Sequence, residues 1–289
     1  MPIQLDIFEH SRDVMLRNAA IDALRTRDVA AITRAIAALA AEYVGDPLLP
    51  AFTQLLERLR LSMAVPLDRA SATEVLRLTE NAVTATQRVL GAAAGAWLSP
   101  LWTDLATAIA DFRFDPDNEE LHAAPLLLRA GNAAEAARKI EAIASWRRQP
   151  APLAWKVEAE YRVSGLAAAW PLLAELSWLA PPRAAMLAAR LQDPELNGLL
   201  SRFDAQFEGD GETGDFAWFP AWTLIAEPCW ASAMRLAQHG ADTPAERCAW
   251  LVLNLLLLER QGRHADIIDG RRKLRAAHPR LFELYMRSR

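Results

Sequence analysis

The apolar positions of this chain recur at helical spacing. Val29, Ile32, Ile36, Leu39 and Tyr43 advance in steps of three and four, which places them on one stripe of a helix facing a core. Phe52, Leu55, Leu56 and Leu59 repeat the pattern, as do Trp102, Leu105, Ile109 and Phe112, and later Ala133, Ala136, Ile140 and Ile143. No segment sustains a period of two. Ile3, Leu5 and Ile7 alternate over a stretch too short for a strand and read as an extended arm lying against a helix. The pattern predicts an all-α protein.

Polar residues, Gly and Pro supply the ends of these helices. Ser11 reads as the cap of a helix to about Thr26, and Asp28 as the cap of the next. Ser71 with Glu74 reads as a capping box opening a helix to about Trp97, which Ser99-Pro100 would stop. A helix from Glu119 to Ala130 would end at Gly131-Asn132. Pro181-Pro182 closes the helix carrying Trp170, Leu173 and Leu176, and Asp193-Pro194 opens a short one. Thr243-Pro244 with Glu246 opens the most apolar helix, to about Arg260; another runs from about His264 to His278, and Pro279 precedes a final turn. The chain reads as one helical array over 1–289, with sub-boundaries near 115–118 and at the acidic, Gly-rich loop 208–215.

Four stretches share a plan: Leu24-Arg-Thr-Arg-Asp28, Leu128-Arg-Ala-Gly-Asn132, Tyr161-Arg-Val-Ser-Gly165 and Glu259-Arg-Gln-Gly262. Each closes one helix and opens the next, with Gly (or Arg27 in its place) at the corner. Gly165 to Pro182 and Gly262 to Pro279 keep a common spacing; Gly131 to Pro150 and Arg27 to Pro47 are slightly longer. This plan resembles the tetratricopeptide and related helical-hairpin repeats, with Tyr161 and Ala136 at matching positions and Trp170 and Ile267 departing from them. The resemblance leaves out about 50–115 and 185–245. It implies antiparallel helix pairs stacked as a right-handed tetratricopeptide-like α-solenoid with irregular middle segments. It also implies a concave side that receives a peptide or partner helix, the work of an interaction scaffold, adaptor or assembly factor.

Two groups of residues are candidates for such contact. Arg25, Arg129, Arg162 and Arg260 each precede a corner. They read either as last-turn cations facing the helix macrodipole or as a row of guanidinium groups for a partner's carboxylates. Phe216, Trp218, Phe219 and Trp222 crowd together beside the acidic loop and read as a partner groove or as a wedge between helices.

Composition narrows the alternatives. With 52% hydrophobic and 24% charged residues the chain is built to fold, and a net charge of −4 gives no global field toward nucleic acid. The stretch 260–289 holds nine Lys/Arg against three Asp/Glu, so a nucleic-acid-associated regulator is the second reading; it lacks the interleaved aromatics of single-strand binders. Cys229 and Cys248 form no C-x-x-C pair and read as two buried, reduced thiols. The five His residues are scattered, the acidic residues Asp204, Glu208, Asp210, Glu212 and Asp215 miss the EF-hand spacing, and no phosphate-binding or nucleophile-elbow motif occurs. The expectation is therefore no cofactor, no metal and no enzyme, with a pocket assembled from distant residues as the third reading. The N-terminal stretch lacks a positive n-region, and the apolar run Trp250 to Leu258 is too short to span a bilayer, which suits a cytoplasmic protein. Lys occurs only at Lys139, Lys156 and Lys273; Arg supplies the other cations among Ala-rich helices, which fits a GC-rich bacterial gene. Ile3, Leu5, Ile7 and Phe8 form an apolar arm that would cover the first helix pair or reach a second copy of the chain.

Overall fold

The computed structural model describes residues 3–61, 67–207, 209 and 213–289. Among them lie sixteen α-helices joined by tight turns and 3-10 segments, with no strand. No helix among them is long and apolar enough to cross a membrane. The chain divides into two compact units, Met1–Asn132 and Ala133–Arg289.

The first unit contains α1 (Ile3–Thr26), α2 (Val29–Glu42), α3 (Leu49–Arg60), α4 (Arg69–Leu90), α5 (Ala94–Ala108) and α6 (Ala123–Arg129). Each of the first five packs on its successor, as short connections between amphipathic helices require. Asp28 caps α2, accepting the Ala31 N–H at 2.9 Å. Several boundaries differ from the sequence reading. The stretch Ile3 to Phe8 is helical from Ile3, so the expected extended arm is the first part of α1. Asp68 caps α4 by accepting the Ser71 N–H at 2.7 Å; the proposed capping-box Glu74 pairs with Arg77 instead. Pro100 does not stop a helix but lies inside α5. Its missing N–H frees the carbonyl of Ala96, a residue on an exposed face of the helix. The break comes earlier, at Gly91, whose φ of +53° ends α4. Residues 116–121 form a 3-10 turn, and α6 begins only after His122, whose Nδ1 accepts the Ala124 N–H.

The second unit contains α7 (Ala133–Glu141), α8 (Pro150–Ser164), α9 (Leu166–Leu179), α10 (Pro181–Leu191), α11 (Pro194–Gln206), α12 (Phe219–Ala226), α13 (Ala231–Met234), α14 (Pro244–Gln261), α15 (His264–Ala277) and α16 (Pro279–Arg287). The Pro181-Pro182 pair closes α9 and also opens α10, since proline is tolerated in a first helical turn. Packing here is less sequential. Helix α9 touches α12 and α13 as well as its neighbours, and α12 packs on α14 and α16. The core they share holds Trp170, Phe219, Trp222 and Tyr285, all with at most 1% of their surface exposed. Gly270 lets α15 approach α14, because a Cβ there would lie 2.6 Å from Leu255 Cδ2.

All four corners of the repeat plan share one backbone feature: Arg27, Gly131, Gly165 and Gly262 have φ of 56°, 85°, 83° and 68°. Glycine takes such angles without steric cost and arginine does not. The Arg27 corner is held by a reciprocal contact. Trp97 Nε1 donates to the Leu24 carbonyl at 2.8 Å, while Arg27 donates to the Trp97 carbonyl and lies over its ring. Burial lowers the Arg27 pKa, and the charge of Asp104 works against that shift.

Candidate functional site

The polar cleft with the most unusual chemistry lies in the second unit, around the loop from Arg235 to Thr243 that joins α13 to α14. Two buried carboxylates hold this loop. Glu175 is the only charged side chain of α9, and its carboxylate accepts the Gln238 N–H at 2.8 Å. Glu246, in the first turn of α14, accepts the N–H groups of Gly240, Ala241 and Asp242 at 2.9, 2.9 and 2.6 Å. Thr243 caps that helix by accepting the Glu246 N–H at 3.2 Å, as the sequence predicts. The side chain of Glu246 then reaches past the cap into the loop.

The cationic wall comes from the 3-10 turn Trp146–Arg148, entered through Ser145 in the left-handed region at φ 54°. Arg148 donates to the His239 carbonyl at 3.1 Å, and its guanidinium lies so close over Gly240 that a Cβ there would sit 2.2 Å from Nη1. Arg147 Nε is 3.1 Å from Glu175 but makes no aligned hydrogen bond, so the contact is an ion pair whose N–H remains without an acceptor. Arg247 fastens the far end of the loop through the Asp242 carbonyl and carboxylate, at 2.7 and 2.8 Å. The aromatic wall follows from helical spacing: Trp178 is three residues after Glu175, and Trp250 four after Glu246, so each shares its carboxylate's face. The His239 ring stacks on Trp250 at 4.2 Å, and its Nδ1 is 3.6 Å from Glu246.

Burial pushes the Glu175 carboxyl above the ordinary carboxylate range. The Gln238 N–H, Arg147 and Arg148 oppose that shift, and the charge of Glu246 adds to it. The floor of the cleft, beside Glu175, Trp178 and Arg147, is a cavity of about 20 Å³, room for one oxygen-sized group. It adjoins a broad mouth of about 480 Å³ beside Arg148, His239, Glu246, Arg247 and Trp250. The lining contains no Ser, Thr, Cys, Lys or Tyr; carboxylates, guanidinium groups, indoles and the His239 imidazole make up its chemistry. No group of three or more His, Cys, Asp or Glu that could hold a metal occurs among the described residues.

The residues expected to meet a partner lie elsewhere. Arg25 is exposed and pairs with Asp22 one turn away at 3.1 Å. Arg129 is drawn to Glu80 and Glu120, at 3.1 and 2.6 Å, and lies over the Trp102 ring. Arg162 pairs with Glu158, which also receives Arg190. Arg260 is exposed in the last turn of α14. Phe216, Phe219 and Trp222 are buried at 7%, 0% and 1% exposure and face one another, Phe203 and Trp170. They are core and offer no surface to a partner in this state. Trp218 is half-buried against the His278 ring at 4.3 Å. Cys248 is buried as expected, but Cys229 is exposed beside Pro228 in a 3-10 turn. In the basic stretch, Arg263 pairs with Asp266, Arg272 and Lys273 with Asp269, and Arg271 and Arg289 with Glu259, so much of its charge is engaged within the chain. Of the acidic run considered for Ca²⁺, Glu208, Asp210 and Glu212 lie outside the described residues.

No family model matches the chain, and no curated protein or solved structure matches it either. The cleft residues escaped the sequence reading with one exception, the Thr243/Glu246 box. A usable signal for Glu175 existed: a lone carboxylate inside the apolar run from Trp170 to Leu179.

Proposed function

We propose that this chain is a non-catalytic interaction module of the bacterial cytoplasm, built of tetratricopeptide-like helix pairs, that holds an extended peptide segment of a partner protein. The observation that carries this reading is the open cleft around the Arg235–Thr243 loop. Its mouth is large enough for several side chains and offers an aromatic ledge, Trp250 with His239, beside two guanidinium groups. Aromatic and Arg side chains of this kind dominate the energetics of protein recognition. The left-handed corners at Arg27, Gly165 and Gly262, each between two helices that pack on each other, support the repeat-like pairing within the units.

An enzymatic reading would use Glu175 as an acid and His239 as a base. The cleft favours binding over that reading, because both carboxylates already serve as acceptors for the loop and the floor is too small for a substrate. The test is selection of peptides from a displayed random library on the full chain. The proposal expects a short enriched motif whose binding weakens when Trp250 is replaced by Ala. Recovery of no motif, or a motif indifferent to Trp250, would count against it.

A further inference from the structure

The cleft has an imbalance of hydrogen-bonding groups that specifies what enters it. Its two buried carboxylates already take donors: Glu246 accepts three loop N–H groups and Glu175 accepts a fourth. Its donors are left over. Arg147 Nε, Trp178 Nε1 and Trp250 Nε1 have no hydrogen-bond partner and belong to residues that line the cleft; each atom lies just beneath the surface, so a turn of its side chain is needed to offer it to a ligand. Trp178 is 97% buried on the 3% exposure it retains. A buried donor left unpaired costs about 1–3 kcal/mol, so such groups normally have a partner. A ligand that satisfies three orphaned donors must bring acceptors.

Charge then selects among acceptors. The floor is lined by two cations, Arg147 and Arg148, and one carboxylate, Glu175. A single negative charge balances the floor, and the mouth adds Arg247 against Asp242 and Glu246, so the second charge of a phosphate would find no net cation. The size of the floor, one oxygen-sized group, agrees with one carboxylate oxygen entering while the rest of the ligand lies in the mouth. We infer that the floor of this cleft receives a carboxylate of the partner peptide, from an acidic side chain or a free C-terminus. The carboxylate pairs with Arg147 and Arg148 and accepts from the indole N–H groups of Trp178 and Trp250. This inference rests on the peptide-binding reading and deepens it.

Calorimetric titration of the full chain with three peptides tests it. Acetyl-hexaglutamate amide carries side-chain carboxylates only, acetyl-hexaglutamine with a free terminus carries one terminal carboxylate, and acetyl-hexaglutamine amide carries none. Binding of the first or second, but not the third, is expected, and identifies the source of the carboxylate. Arg147→Gln should weaken that binding about tenfold, the scale of one charge-assisted hydrogen bond. Gly240→Ala keeps every charge but displaces the Arg148 guanidinium, and should weaken it too. Circular dichroism and Tm establish that both variants are folded. Equal binding of all three peptides, unchanged affinity in both folded variants, or displacement by equimolar inorganic phosphate would overturn the inference. If library-selected peptides bind Arg147→Gln undiminished, the carboxylate claim falls and the interaction reading stands. If the carboxylate peptides bind while selection yields no motif, the reverse holds.

Discussion

The unit Ala133–Arg289 contains two groups of aromatic side chains that differ in what surrounds them. Phe203, Phe216, Phe219 and Trp222 meet one another at centroid distances from 4.8 to 6.4 Å, and Trp170 joins them at 5.8 Å from Phe219. Trp170 Nε1 also lacks a hydrogen-bond partner, in a side chain 1% exposed whose ring lies 4.6 Å from that of Trp230. Trp178 and Trp250 stand 6.2 Å apart on the other side of α9 and α14, against guanidinium groups, carboxylates and an open hollow. The first group supplies apolar mass, although Trp170 Nε1 and the neighbouring Thr223 Oγ1 are buried there without partners. The second has donors that the chain does not satisfy. Aromatic density therefore marks where area is buried, and unpaired donors beside an open hollow mark where something else is to bind.

Stability measurements can break this contrast most sharply. Trp222→Ala removes a side chain with 1% exposure from the centre of the core and should cost about 3–5 kcal/mol in urea unfolding. Trp250→Ala, at the half-buried wall of the cleft, should cost less than half as much. Equal costs would mean that the cleft wall is core in the same sense as the aromatic cluster.

The two regions should also respond to pH with opposite sign. On the aromatic side, burial lowers the His278 pKa, and nearby Arg280 lowers it further. Neutral His278 Nδ1 accepts the Leu281 N–H at 3.1 Å and caps α16. A histidine whose folded pKa lies below its ordinary 6.5 contributes stability above that value and loses it as pH falls through the folded pKa. Acidification from pH 7 to 5 should therefore lower Tm. His278→Asn keeps a capping acceptor that does not titrate and should flatten the slope, with about 1 kcal/mol at stake in the cap.

Glu175 acts in the other direction and with the smaller effect. Its folded pKa is raised above the ordinary 4.5, so the folded state holds a proton that the unfolded state releases, and stability falls as pH rises through that window. Glu175→Gln retains an acceptor for the Gln238 N–H. It should match the wild type below pH 4.5 and gain on it as pH rises. Parallel Tm curves for the two proteins would show that burial does not control this carboxyl.

The all-helical class was legible because apolar residues repeat every three or four positions throughout, and the Asp28 and Thr243 caps because one short oxygen side chain at a helix start has few other uses. The corners were legible at the glycines and, by spacing, at Arg27. Other ends were not. Ser71, read as a cap, lies in the first turn of α4, and the cap is Asp68 three residues before it. Pro100 looks like a stop until Ala96, whose carbonyl it frees, is found on an exposed face. Ile3 to Phe8 alternates as a strand would, yet continues α1. The cleft was hardest to see. Its Glu175 and Glu246 are 71 positions apart, and the loop that they hold has no pattern of its own. Which donors remain unpaired is a property of tertiary structure alone, so the orphaned indoles of Trp178 and Trp250 could not be distinguished in sequence from the satisfied indole of Trp97.

The most direct test of the contrast between core and cleft is the set of tryptophan indole N–H resonances in a ¹⁵N-labelled full chain, recorded as the carboxylate peptide that binds in the calorimetric titration is added. Trp178 and Trp250 should shift downfield as their donors find acceptors, while Trp97 and Trp222 stay in place. Uniform small shifts across all the indoles, or shifts at Trp222 without Trp178, would contradict the account.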